Sequence, residues 1–428
     1  MMSTSSALPS TGAELNVRAT PDERRATIVG WVLIGVGMYV GWAFGLNVDG
    51  DLDATFNLSL QGARFEDLSW VVNTRILSVI VGVALLVLGG LRLRLKNLQR
   101  TNRVLGLGMG LFSLAFLAWA AAGDSFSMVG MLRSTVILSV VITLGALCGL
   151  MGERVGIINI GIEGQLLAAA FVAVILSSAF GTIFGVLGAL AIGGLLGAFL
   201  AWMAIRFQVD QIIAGVVINI FALGFTSFMA SRVLSRSQDL NAPDRIPAIR
   251  IPWLADIPVI GPMLFDHTFF VYGTFLLVAG LHFGLFSTRW GLRSRSVGEH
   301  PKAADTVGIN VYRTRYLNVI YGGLIAGFGG AFLSLAQVSR FEENMTGGVG
   351  FIGLAAMIFG RWMPTGAMAA GLVFGFSRAV QQKVALLGTP IPSEFLEMIP
   401  FLVTIVVVAG VVGKSRPPAA AGQSYIKQ

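Results

Sequence analysis

The chain has 428 residues, 55% hydrophobic and 12% charged, whereas a soluble domain is about a quarter charged; with a mean hydropathy of +0.78, this excludes an ordinary soluble protein and indicates one helical membrane domain. The net charge of +8 would suit a nucleic-acid partner, but the Lys and Arg residues gather in short segments between apolar runs, where they set orientation and face lipid headgroups, so none is expected. A single cysteine, Cys148, excludes internal disulfides and paired-thiol metal or redox motifs.

Residues 1–27 read as a polar tail containing Asp22, Glu23, Arg24 and Arg25, without the short apolar stretch and small-residue site of a cleaved signal. The first apolar run is therefore expected to remain as a span. Runs of helical length follow at 28–46, 74–91, 104–122, 131–150, 157–180, 183–204, 212–232, 268–287, 316–338, 364–382 and 397–413, each near the roughly 20 residues that cross a bilayer. The run 350–360 is too short for a straight crossing at about 1.5 Å per residue. It is either a half-helix or the deep part of a longer broken one.

Charge decides the parity. Arg92, Arg94, Lys96, Arg100 and Arg103 fill one loop, and Arg289, Arg293, Arg295, Lys302, Arg313 and Arg315 fill another, so both are expected in the cytoplasm. The N-terminus then lies inside, and the tail with Lys414, Arg416 and Lys427 joins it only if 350–360 crosses, which favours 12 crossings over 11. Positions 96 and 300 should face the cytoplasm, and 60 and 250 the outside. The external loop 233–267 carries Arg236, Arg245 and Arg250, but four aspartates accompany them.

Glycines recur through the spans, as in "GVLGALAIGGLLGAF", where small residues let backbones approach in lipid. "VGIINIG" from Val155 and "VGFIGLA" from Val349 suggest an inverted repeat with interrupted helices, a common transporter architecture.

No HExxH or GxSxG occurs, the three histidines are dispersed, and "GVVGKS" has Val408 where a phosphate loop needs glycine. No catalytic, cofactor or metal site is expected. His282 reads as a hydrogen-bonded packing residue. In "GERVGIINIGIEGQLL", Glu153 and Arg154 are expected near the start of the fifth span, where an acid suits the helix dipole. Glu163 lies deeper, where an ionisable group is costly. With Asn159, Gln165 and Asn219 it marks either a translocation path or a helix break whose freed backbone groups need partners. In the loop 287–316, Pro301 suits a helix start and Gly308 its end. Ala303, Ala304 and Val307 then offer a small face able to dock in another protein's groove, unless the loop is only a topological determinant.

These stretches resemble the permease subunits of ATP-binding-cassette importers serving branched-chain amino acids, simple sugars and nucleosides. "GERVGIINIGIEGQLL", "QVDQIIAGVVINIFALGFTSF", "SVGEHPKAADTVGINVYRTRYLNVIYGG" and "FEENMTGGVGFIGLAAMIFG" match the family's motifs in order, over about residues 130–412. The external "IPWLADIPVIGPMLF" resembles the nucleoside and related-sugar branch.

The resemblance implies a type II-importer-like all-α bundle of about 11–12 membrane helices. It divides the chain into a cytoplasmic tail 1–27, an additional three-helix region 28–127, a permease core 128–413 and a cytoplasmic tail 414–428. It implies an ATPase-coupling loop with Gly298, Glu299, Pro301, Lys302, Ala303, Ala304, Asp305 and Gly308, where Lys302 replaces the family's leading glutamate. It further implies a permease of a prokaryotic cytoplasmic membrane that is not itself an enzyme. Its partners would be cassette ATPases, a second permease in a heterodimer and an extracytoplasmic substrate-binding lipoprotein, and its solute a nucleoside or related sugar. An ion-coupled secondary transporter and a permease for branched-chain amino acids or simple sugars remain the alternatives.

Overall fold

The computed structural model describes residues 21–48, 52–59, 68–94, 101–387, 391–402 and 416–427. The tail 1–20, positions 60 and 96, Arg100, and the end of the last apolar run with Lys414 lie outside the described residues. Two compact units form: Met1–Leu52 with Asn73–Trp119, and Asp53–Val72 with Ala120–Gln428.

In the smaller unit, α1 (Pro21–Tyr39) runs into a π-helical stretch, Val40–Leu46, and packs on α2 (Thr74–Arg94); α3 is Thr101–Ala120. A Cβ on Gly37 would lie 2.8 Å from the Gly82 carbonyl, so the two helices touch backbone to backbone.

The larger unit is built around α4 (Met128–Glu153), with 94% of its most apolar window buried, as a helix apolar on every side requires. Around it follow α5 (Ile162–Phe180), α6 (Thr182–Arg206), α7 (Gln211–Met229), short α8 (Ile260–Leu264), α9 (Phe269–Ser287), α10 (Arg289–Glu299), α11 (Pro301–Thr306), α12 (Val311–Ala331), α13 (Val349–Phe359), α14 (Pro364–Leu386) and α15 (Ser393–Glu397). Two short pairings were not anticipated. Strand β1 (Asp53–Asn57), flanked by β2 (Ser69–Asn73), pairs in parallel with β3 (Ser125–Ser127), and β4 (Ile249–Arg250) pairs antiparallel with β5 (Asp266–His267) within the loop 233–267. His282 lies against the Phe286 ring, and its Nδ1 has no hydrogen-bond partner, contrary to the expectation.

Glycines set a close contact between α6 and α12, as their density suggested. A Cβ on Gly193 would come 2.3 Å from the Gly323 carbonyl, one on Gly323 2.3 Å from the Gly193 carbonyl, and one on Gly327 2.3 Å from the Ala189 carbonyl. Helices α6 and α12 therefore meet along a four-residue spacing of small residues.

Among the described residues nine helices are long and apolar enough to cross a membrane. The chain is a helical multi-pass membrane protein. The short run resolves into the deep part of a broken crossing. Helix α12 starts at the end of the bundle that holds Glu153, where the Arg315 Nε donates to the Val155 carbonyl at 3.0 Å, and continues as π-helical Phe332–Gln337 towards the other end. Residues 338–348 then return without regular structure to the level of Glu163, and α13 carries the chain back until Trp362 meets Glu153.

Candidate functional site

The interruption predicted near Asn159 is longer than the sequence suggested. Helix α4 ends at Glu153, residues 154–161 are non-helical, and α5 begins only at Ile162. Asn159 thus precedes the helix, and Glu153 closes one instead of opening one. Without the expected N-terminal dipole, the Glu153 carboxylate accepts the Trp362 indole N–H at 2.5 Å. Arg154 donates through Nε to the Trp362 carbonyl at 2.9 Å and lies over the Phe286 ring.

A non-helical segment inside a bundle must have its backbone groups satisfied by protein. Helix α7 supplies most of the partners. Gln211 Oε1 accepts the Ile158 N–H at 2.7 Å; Asn219 Nδ2 donates to the Ile160 carbonyl at 3.0 Å, while its Oδ1 accepts the Gly164 N–H at 2.8 Å. Asn159 Nδ2 donates to Gln165 Oε1 at 3.1 Å, and the buried Cys148 thiol donates to the same oxygen at 3.2 Å. Three of the four singled-out polar residues therefore brace the break. Gln211 and Arg315, which do the same work, were not singled out, although both stand beside apolar runs.

Glu163 does something further. Its two carboxylate oxygens accept the N–H groups of Gly348 at 2.7 Å and Gly350 at 2.6 Å. These are unpaired donors at the start of α13, where the helix dipole also favours an anion. Two helix N-termini, those of α5 and α13, thus face one carboxylate within the bundle. Only glycine fits at 350, since a Cβ there would lie 2.7 Å from Glu163 backbone atoms, and Gly348 has φ +84. The two stretches suggested as a repeat do not share a conformation in the quoted register: residues 157–160 carry no helix and 349–355 are helical, and the helix starts that meet at Glu163 are Ile162 and Val349.

Residues 338–348 separate two spaces. On one side is an open groove of about 750 Å³ lined by Ser235, Asp239, Asn241, Arg340, Phe341 and Glu343. On the other is a cavity of about 90 Å³ lined by Gln337, Val338, Glu342, Met345 and, from α14, Arg378. Asn241 fastens the partition, accepting the Phe341 N–H at 2.7 Å and donating to its carbonyl at 3.1 Å. Arg378 was overlooked, although an arginine inside the predicted run 364–382 is itself a signal.

The loop with Pro301 forms the short helix α11, whose His300 Nδ1 accepts the Ala303 N–H at 3.3 Å and whose end is Gly308 at φ +84. Its small face is not the one expected. Ala304 is buried within this chain, while Lys302, Ala303 and Val307 are exposed, Val307 at 75%. The turn of the helix points Ala304 inward, against the cluster of Val155, Val297 and Val311. The segment 416–427 lies over the same end. Gly298 accepts from Ala420 N at 2.9 Å, Glu299 accepts from Ala419 N at 3.4 Å, Gly156 accepts from Gly422 N at 3.2 Å, and Tyr425 is buried beside Tyr312. Asp305 pairs with Lys427 at 3.8 Å.

Residues 131–408 match the family described as branched-chain amino acid transport system / permease component. The guanosine ABC transporter permease protein NupQ of Bacillus subtilis is 39% identical over 69% of this chain and 95% of its own. The nucleoside ABC transporter permease protein NupC of Lactococcus lactis is 39% identical over 65% of this chain and 91% of its own, and the putative glucose ABC transporter permease protein TsgC13 of Haloferax volcanii 31% over 70% and 98%. No solved structure matches the chain.

Proposed function

The chain belongs to the family of branched-chain amino acid transport system permease components, and from that premise we propose that it is the membrane conduit of an ATP-driven importer for a nucleoside or a related sugar. The observation that carries the reading is the pair of broken helices meeting at Glu163, with a groove and a cavity on either side of residues 338–348. Irregular backbone at membrane depth is tolerated where it is enclosed by protein or lines a pathway. The nucleoside assignment rests on the nucleoside permeases NupQ and NupC among the relatives and on the resemblance of the loop 251–265.

In this reading the end with α10, α11 and the segment 416–427 is cytoplasmic, in the inner membrane of a prokaryote, and the groove opens outward to a substrate-binding lipoprotein. Cassette ATPases dock on the exposed face of α11 formed by Lys302, Ala303 and Val307, and their closure moves the helix. A second permease completes the pathway. Residues 28–127 form an additional membrane region ahead of the core, and ATP hydrolysis belongs to the partners.

Uptake of labelled guanosine in cells expressing the whole system tests the assignment. Unlabelled nucleosides should compete. If only a branched-chain amino acid or a hexose competes, the solute is wrong; uptake in vesicles driven by an ion gradient without ATP would overturn the importer. With Cys148 replaced by serine, single cysteines at 300 and 250 should label from inside and outside respectively.

A further inference from the structure

Arg378 is, among the described residues, a charge in the bundle interior that the broken-helix architecture does not use. It lies fourteen residues into α14, about 21 Å from the helix start by the ordinary rise, with two further turns beyond it. A cation at that depth is costly unless it meets a partner or a polar space. Among the described residues the guanidinium makes no hydrogen bond or ion pair, and the charge acting on it is Glu163. Both Glu163 oxygens, however, are engaged by the α13 backbone, and Glu342 across the cavity is held by Arg340. Arg378 therefore presents donors to a cavity of about 90 Å³, room for about three waters.

We propose that Arg378, with Gln337 beside it, is the inner solute-binding station: once the 338–348 partition opens, the guanidinium donates to a carbonyl or hydroxyl oxygen of an uncharged polar solute. An arginine offers five donors in a fixed fork and no acceptor, so it suits oxygen-rich solutes. Glu163 and Glu342 keep the surroundings from being strongly positive, so no anionic group on the solute is required. Gln337 supplies both an acceptor and donors, which a solute hydroxyl can use. The present cavity is too small for the solute, so this is the arrangement with the inner station closed. The inference rests on the transport reading above and deepens it.

The test compares the intact transporter with Arg378→Gln and Arg378→Lys, using labelled guanosine in vesicles with saturating binding protein. Capture affinity resides in the binding protein, so KM should stay within twofold while the maximal rate falls at least tenfold in Arg378→Gln. Arg378→Lys, which keeps a charged donor without the fork, should recover part of it. Protection of Cys148 from a thiol reagent and co-purification of the ATPase should match the unaltered protein. A retained maximal rate in Arg378→Gln overturns the proposal, as does a loss accompanied by exposure of Cys148 or departure of the ATPase, which makes Arg378 structural. Failure of the unaltered protein to move guanosine falls on the functional reading instead.

Discussion

Replacing Glu163 with glutamine keeps the size of the side chain and removes half of its accepting capacity. In the native bundle the two carboxylate oxygens accept from Gly348 at 2.7 Å and Gly350 at 2.6 Å. A glutamine offers one oxygen to these two donors and turns an NH2 group towards the other. One N–H is then buried without a partner, at about 1–3 kcal/mol. The surviving bond changes from charged to neutral, losing about 1 kcal/mol, and the lost anion at the start of α13 removes about 0.3–1 kcal/mol more. The sum is about 2–5 kcal/mol of stability. The chain contains its own reporter, since Cys148 is its single cysteine and is fully buried. Thermal unfolding in detergent, followed by labelling of Cys148 with a fluorogenic maleimide, should show a clearly lower midpoint for Glu163→Gln. An unchanged midpoint with normal transport would mean that the carboxylate does not hold the two half-helices together.

Three further outcomes follow from other parts of the molecule. Val307→Asp, on the exposed face of α11, should leave the Cys148 midpoint unchanged and reduce ATPase co-purification at least fivefold; Ala304→Arg should lower the midpoint, because Ala304 is packed inside the chain, where an unpaired charge is costly. Gly323→Ala should cost about 1–3 kcal/mol, since its Cβ would meet a backbone carbonyl at 2.3 Å, whereas Gly280→Ala meets nothing within 4 Å and should be silent. Burial lowers the His267 pKa from 6.5, and its Nε2 donates to the Met263 carbonyl at 2.7 Å. The unfolded chain therefore takes up the proton first as pH falls: this stability is present above about 6.5 and lost as pH falls through the folded value. The protection of the β4–β5 amides, taken relative to their intrinsic exchange rates at each pH, should fall between pH 7.5 and 5, and His267→Gln should flatten that dependence.

The spans were legible because hydrophobic length is a strong signal: α4, α6 and α9 fall within a few residues of their predicted runs. The breaks were only half legible. Residues 157–161 are largely apolar, and the partners of the break are distant in sequence: Gln211 bonds Ile158, Asn219 bonds Ile160, and Arg315 bonds Val155 just before them. The same limit explains Glu163. Its position marked it as unusual, but its partners lie 185 and 187 residues away, and no local pattern announces them. Ala304 was misplaced because a six-residue helix has too short a pattern to say which face turns inward. Arg378 was passed over because one charge in a long apolar run barely alters its average.

The glycine seam between α6 and α12 has a mechanical meaning. Helices locked carbonyl to Cα have no side-chain layer on which to slide, so the pair is a single strut, and a shear between them would drive backbone into backbone. The compliance must be elsewhere. The natural joints are residues 154–161 and 338–348, where no helical ladder has to break and the restraints are a few side-chain hydrogen bonds. An effort applied at α11 would then pass along the strut undiminished and be spent in bending those two joints.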